Sequence, residues 1–163
     1  MRAVVTNASP LIILARADLL ELLLRQFSTI LVPQAVVEEV LQGPENDPMR
    51  KLMNGLPWLN QITLEPPLTP LAYWQLGRGE SEVIEYARRH QGTVALLDDK
   101  DARKVASALQ IPVIGTLGVV ARSARHGGMY SLDQMIERLQ EAGIYLDQRI
   151  ISKVRKSLEK GTQ

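Results

Sequence analysis

The sequence predicts an α/β fold with a parallel sheet between layers of helices, and three observations predict it. From Thr93 to Thr116 the chain reads TVALLDDKDARKVASALQIPVIGT, with Val94 to Leu97 an apolar run of the kind buried on both faces of a parallel sheet. Ile111, Val113 and Ile114 supply a second run, while Ala102, Val105, Ala106 and Leu109 repeat between them at helical spacing, which makes the unit a βαβ crossover. Elsewhere short β-rich runs alternate with amphipathic helical stretches, the pattern of a sheet flanked by helices.

Taken in order, Ala3 to Thr6 is a first strand, and Ser9 followed by Pro10 reads as an N-cap with proline at the first helical position. The helix it opens is expected to run to about Gln26. Thr29 to Val32 is a short strand, and Pro33 opens a second helix that Gly43 closes. From Gly43 to Gly79 six prolines, Pro44, Pro48, Pro57, Pro66, Pro67 and Pro70, predict a broken connection with one short helix near Met49 to Asn54. A helix follows from Glu80 to about His90, then the crossover, then a helix from Thr116 to His126 ended by Gly127 and Gly128. Ser131 to Ala142 carries Leu132, Met135, Ile136 and Leu139 on one stripe. A last amphipathic helix starts near Asp147, with Lys153, Arg155, Lys156 and Lys160 opposite Ile150, Ile151, Val154 and Leu158.

Composition bounds the class of protein. The 163 residues suit one domain with a real core, and 45% hydrophobic with 23% charged content is near the globular average, which argues against disorder. A net charge of +1 provides no overall field for a polyanion, so only local basic patches would steer one. There is no cysteine, which removes disulfide and thiolate chemistry and fits a reducing compartment. Arg16, Asp18 and Glu21 interrupt the apolar N-terminal stretch, so it is neither a convincing signal peptide nor a membrane span. A soluble, cytoplasmic protein is expected.

The chemistry collects around acids. Asp98, Asp99 and Asp101 follow the carboxyl end of a strand, where open α/β sheets place their ligands. Crowded carboxylates there need a cation or a helix N-terminus to offset their repulsion, so a divalent metal site and acidic helix capping are both readings of this cluster. Glu80 falls near the centre of the stripe made by Val83, Ile84 and Ala87 at about 100° per residue, whereas Glu82 and Glu85 are expected to point away. Burying an unpaired carboxylate costs several kcal/mol, so an inward Glu80 calls for a metal or a charge network. Glu38 and Glu39 flank the face of Val36, Val37, Val40 and Leu41 almost symmetrically, and the pattern does not choose between them. Asn7 stands at the end of the first strand, where its amide suits a turn and the local pattern does not indicate a ligand role for its oxygen.

The ordered combination of Asn7, Ala8 and Ser9 after a first strand, then VPQAVVEEV, GRGESEVIEYA, and LLDDKDAR with VIGTLGVV, resembles the PIN-domain nucleases, and within them the subfamily DUF3368, related to VapC-type toxins. The likeness runs from about Val4 to at least Val120, with the final helices matching more loosely. It implies a PIN-like three-layer α/β/α domain over residues 1–163, with a core of about 3–128 and a C-terminal helical extension of about 129–160. It also implies acids that meet in one pocket, bind Mg²⁺ or Mn²⁺ and cut single-stranded RNA. Residue by residue, Asn7 matches the first-strand acidic position, Glu39 the second-helix acid, Glu80 the third and Asp99 the fourth, with Asp98 the alternative if the strand shifts by one. Ser9 matches the hydroxyl residue beside the first position. Asn7 departs from the aspartate usual in nucleolytic members, and a neutral amide removes a charge from a site for a hard cation.

Three basic clusters are candidates for RNA phosphates, Arg88 with Arg89 and His90, Arg103 with Lys104, and Arg122 with Arg125 and His126, although such charge runs on helices are usually solvated faces. Trp58, Tyr73 and Trp74 would stack on bases or cover core edges. The wide apolar arc of Leu11, Ile12, Leu19, Leu20 and Leu22 to Leu24 fits a homodimer interface, an antitoxin-binding groove or deep burial. The leading expectation is therefore a metal-dependent ribonuclease, the toxin of a toxin–antitoxin pair. Its rival is a PIN-like binding module without catalysis, which Asn7 favours. An aspartyl-nucleophile phosphotransferase would need an acid where Asn7 stands.

Overall fold

The computed structural model describes residues 1–68 and 75–159, and in it five strands form one all-parallel sheet of order β3-β2-β1-β4-β5. The strands are β1 (Arg2–Thr6), β2 (Phe27–Pro33), β3 (Leu59–Ile62), β4 (Val94–Leu96) and β5 (Val113–Ile114). The helices are α1 (Ala8–Arg16), α2 (Glu21–Gln26), α3 (Gln34–Gln42), α4 (Pro48–Leu52), α5 (Arg78–Arg89), α6 (Lys100–Ala108), α7 (Thr116–Arg125), α8 (Leu132–Glu141) and α9 (Gln148–Glu159). This is the expected three-layer α/β/α architecture. Tyr73, Trp74 and Pro70 lie outside the described residues, as does Lys160.

The central strand carries Val4 and Val5 fully buried between β2 and β4. Sequence order moves outward from β1 to β2 and β3 on one side and then returns to β4 and β5 on the other. The order therefore reverses between β1 and β4, which makes their carboxyl ends the switch point where such sheets open a crevice. Thr6 pairs with Leu96, and the Asn7 amide donates to the Leu96 carbonyl at 3.2 Å, so Asn7 and Asp98 end neighbouring strands at that crevice.

Three expectations along the chain are corrected. The first long helix is broken into α1 and α2, because Asp18 takes a left-handed conformation (φ 55°) and the Leu19 amide turns back to the Leu14 carbonyl at 2.8 Å. Its N-cap position belongs to Asn7 and not to Ser9, which lies exposed inside the first turn. The proline-rich connection contains an edge strand, β3, paired with Ile30 to Pro33 of β2. Only four residues long and half exposed, β3 carries too little apolar pattern to stand out between prolines.

The apolar arc of the N-terminal helices is consumed within the chain, with Leu11, Leu14, Leu19, Leu22 and Leu23 fully buried and Leu24 left outside. Trp58 packs partly buried against the core. Met135, Ile136 and Leu139 of α8 and Ile151 of α9 join the same hydrophobic cluster as the sheet, because α7 packs against both helices. Among the described residues no helix is long and apolar enough to cross a membrane.

Candidate metal centre

The crevice is built on a glycine. Gly79, in the first turn of α5, is buried, and a Cβ placed on it would come within 2.8 Å of Asn7 Oδ1, 3.0 Å of Glu39 Oε2 and 3.3 Å of Val36 Cγ2. Asn7 from the end of β1 and Glu39 from α3 thus press their oxygens against one bare backbone position of α5. The next residue, Glu80, accepts a hydrogen bond from Asn7 Nδ2 through Oε1 at 2.8 Å. Its other oxygen folds back over Gly77, the N-cap of α5, where a side chain would collide with it. A carboxylate at a helix N-terminus is favoured by the unpaired amides and the helix dipole there.

Asn7 is 3% exposed, and its two amide atoms have opposite fates. Nδ2 is satisfied by Glu80, while Oδ1 is buried without a hydrogen-bond donor. Although Asn7 holds the N-cap position of α1, its side chain makes no cap bond, being drawn away into the crevice. An orphaned acceptor beside a second acceptor, Glu39 Oε2, is a costly arrangement that a proton or a cation would relieve. The same tension appears in Glu39, whose acidity is weakened above its ordinary 4.5, first by desolvation and then by the Glu80 charge.

The structure separates the two glutamates of α3. Glu38 turns to Arg78, accepting from Nη1 at 2.8 Å, and leaves Glu39 facing Gly79. Arg78 also reaches Glu82, Nε to Oε1 at 3.2 Å. Glu82 and Glu85 do not point away as expected; they are 7% and 6% exposed. Glu82 Oε2 accepts the Ala35 amide at 3.0 Å and so fastens α5 to the start of α3, and Glu85 takes hydrogen bonds from Arg88 and Arg89. Helical periodicity ranked these acids outward because it cannot show a partner waiting on α3, as for Glu82, or arginines a turn away folding over the carboxylate, as for Glu85.

The β4 acids are brought to the same edge but bound to other tasks. Asp99 caps α6, its Oδ1 accepting the Asp101 and Ala102 amides at 3.0 and 2.8 Å. Asp98 holds the first turn of α7, accepting the Thr116 amide at 2.7 Å and the Thr116 hydroxyl at 2.5 Å. The capping reading of this cluster is thus realised in Asp99, while Asp98 is engaged by the first residue of α7. Asp101 pairs with Lys104 at 3.0 Å in solvent, and Arg103 Nη1 donates to the Leu97 carbonyl at 3.0 Å. Among the described residues no three acidic or imidazole side chains form a metal-sized group, so the crevice offers two carboxylates completed by one amide.

These donors suit a hard cation. All are oxygens, and the unpaired Asn7 Oδ1 and Glu39 Oε2 face the same small space, which fits Mg²⁺ or Mn²⁺ better than a thiophilic ion. The glycines of the motif were the residues that sequence reasoning passed over. The signal was present: a glycine in the first turn of a helix sacrifices about 0.5–1 kcal/mol relative to alanine, so Gly79 needs a close approach to justify it.

A family model, DUF3368, described as a PIN domain, matches residues 3–160. No curated protein matches the chain significantly.

Proposed function

The chain belongs to the DUF3368 family of PIN domains, a nuclease-type fold, and from that premise we propose that it is a metal-dependent endonuclease of single-stranded RNA, the toxin of a toxin–antitoxin pair. The observation that carries the proposal is the meeting of Asn7, Glu39 and Glu80 around Gly79, with Asn7 Oδ1 buried and unpaired. PIN domains generally use divalent metals, and in this reading Glu39, Glu80 and Asn7 Oδ1 would hold Mg²⁺ or Mn²⁺. The fourth oxygen would come from the end of β4, from Asp99 or Asp98. When bound, the ion would supply an activated water and charge stabilisation at the phosphodiester.

The protein's own residues prepare that chemistry. Asn7 Nδ2 orients Glu80 so that its carboxylate stays at the crevice. Arg78 draws Glu38 off, which keeps a third negative charge away from Glu39 and Glu80. Gly79 keeps the space open, and Glu82 locks α3 to α5 so that Glu39 and Glu80 stay in register. Arg103 and Lys104 would receive RNA phosphates, and Ser9, exposed near the same strand end, would touch substrate or water. A cytoplasmic protein of one domain, with a small antitoxin and a homodimer as partners, belongs to the same proposal.

A second reading, a PIN-like binding module without catalysis, is favoured by one observation: the crevice has an amide where a third carboxylate would strengthen a cation site. Cleavage of labelled single-stranded RNA with Mn²⁺ or Mg²⁺, set against EDTA and Glu80→Gln, separates the two. Metal-dependent cutting lost in Glu80→Gln is the expected result. A folded, inhibitor-free protein that cuts neither as it stands nor as Asn7→Asp sinks the nuclease and leaves the binding module.

A further inference from the structure

Two hollows meet beside the end of β4 and share Asp98 and Arg103 as a common wall. One, about 520 Å³, is rimmed by Lys100, Lys104 and Ser107 of α6. The other, about 370 Å³, is floored by Val113, Ile114, Gly115, Leu117 and Gly118, the end of β5 and the start of α7. Lys100 and Lys104 stand at the first, aliphatic side chains floor the second, and one guanidinium stands between them.

The dividing wall is held in place. Arg103 Nη1 donates to the Leu97 carbonyl at 3.0 Å and lies so close to Gly115 that a Cβ there would come within 2.6 Å of it. Asp98 is pinned by two hydrogen bonds to Thr116. The floor is equally constrained, since a Cβ on Gly118 would meet Ile114 Cγ1 at 2.7 Å. Among the described residues Lys100 makes no ion pair, and Lys104 makes one with Asp101 in solvent, a kind of pair worth little.

Location distinguishes this basic group from the others. Lys100, Arg103 and Lys104 belong to a helix that starts at the crevice edge, one strand from Asn7. Arg88 and Arg89 sit in the last turn of α5, where Glu85 holds them, and Arg122 and Arg125 sit in the last turn of α7. Helices that start at the crevice edge end at the opposite one, so those clusters face away from Asn7, Glu39 and Glu80.

A nucleotide unit is an anionic phosphate joined to a flat base with apolar faces. We infer that the notch between α6 and α7 is a nucleotide subsite for single-stranded RNA, with a phosphate against Lys100 and Lys104 and its base over Ile114 and Leu117. Arg103 spans the two, because its planar fork both stacks on bases and binds phosphate. Bases locked in a duplex cannot enter the slot, so the notch selects unpaired strands. The inference rests on the RNA substrate of the proposed function but on neither its metal nor its hydrolysis.

The test is fluorescence anisotropy in EDTA with a labelled ten-nucleotide 2′-O-methyl RNA, an abasic oligomer of equal length, and the duplex of the same sequence. The single strand should bind about tenfold tighter than the abasic oligomer, the range of base stacking on a side chain, and the duplex no tighter than the abasic one. Lys100→Ala with Lys104→Ala should weaken both single strands and flatten the salt slope by about 0.7 for each phosphate no longer neutralised. Arg103→Lys, which keeps the charge and loses the plane, and Leu117→Ala should keep the salt slope and erase the preference for bases, with melting curves confirming that both fold. Equal binding of abasic and complete strands by the native protein, or native affinity in all the variants, overturns the subsite. The cleavage assay is separate: variant effects on binding without cutting leave the subsite standing and remove the nuclease, whereas cutting without variant effects does the reverse.

Discussion

At the scale of single residues, the crevice is an arrangement of oxygens around missing side chains. Gly79→Ala would push a methyl into Asn7 Oδ1 and Glu39 Oε2 while leaving a residue that favours the helix. The expected outcome is a melting temperature held or modestly lowered, as overpacking offsets the helix propensity, with cleavage slowed by about a hundredfold, the cost of displacing catalytic groups by an ångström. Full activity in that variant would place the reaction elsewhere. Glu39 makes a prediction about pH. Its folded-state pKa is raised above 4.5, so the folded protein holds that proton more tightly than the unfolded chain. The associated stability is present below the unfolded pKa and lost as pH rises through the folded one. In EDTA, Glu39→Gln should therefore melt higher than the native protein at pH 7, with the gap closing below about pH 4.5. A gap that persists in acid would mean that the glutamine gains from some other interaction.

At the scale of elements, two kinds of joint hold the crevice in shape. Glu82 accepts the Ala35 amide in a buried place, so Glu82→Ala strands an N–H at the start of α3 and should cost about 1–3 kcal/mol in urea melts. A loss of a few tenths would show that water replaces the bond. Asp99 caps α6, and Asp99→Ser keeps a capping oxygen while removing the charge. Stability should hold within about 0.5 kcal/mol, against about 1 kcal/mol lost in Asp99→Ala. Because stability is held, any fall in cleavage by Asp99→Ser reads its charge alone, and the same measurement on Asp98→Asn assigns the fourth oxygen to one residue or the other. The break between α1 and α2 belongs to this scale too. Nothing in ASPLIILARADLLELLLRQ interrupts the apolar pattern strongly enough to predict it, and only the left-handed Asp18 ends the helix.

At the scale of the whole molecule, a cation that bridges β1, α3 and α5 would bind the folded chain and not the unfolded one. Mn²⁺ at a hundred times its dissociation constant should then add about 2.7 kcal/mol, or roughly 5–10 °C in melting temperature for a chain of this size. The shift should vanish in the double variant Glu39→Gln with Glu80→Gln. No shift at millimolar Mn²⁺ in the native protein, and a shift in Asn7→Asp, would show that the amide has cost the site its ion. The sheet order provides the frame for this coupling, since the order reverses between β1 and β4 and opens the crevice beyond their paired carboxyl ends.

The sequence by itself determined the class of fold and most of its elements, because parallel strands buried on both faces and amphipathic helices write their periods plainly into short stretches such as Val94 to Leu97 and Ser131 to Ala142. It also marked Asn7, Glu39 and Glu80, though Glu39 was separated from Glu38 only by family likeness. Tertiary structure decided what each acid does. Glu38 and Glu39 occupy mirror positions on one helix and part company because Arg78 waits beside one and Gly79 beside the other. Glu82 and Glu85 are buried despite their place on the helical wheel, since the cost of burying a carboxylate depends on its partners, and those partners lie on another helix or a turn away. A period reports which way a side chain leaves its own backbone, and a site is made by what arrives from elsewhere in the chain.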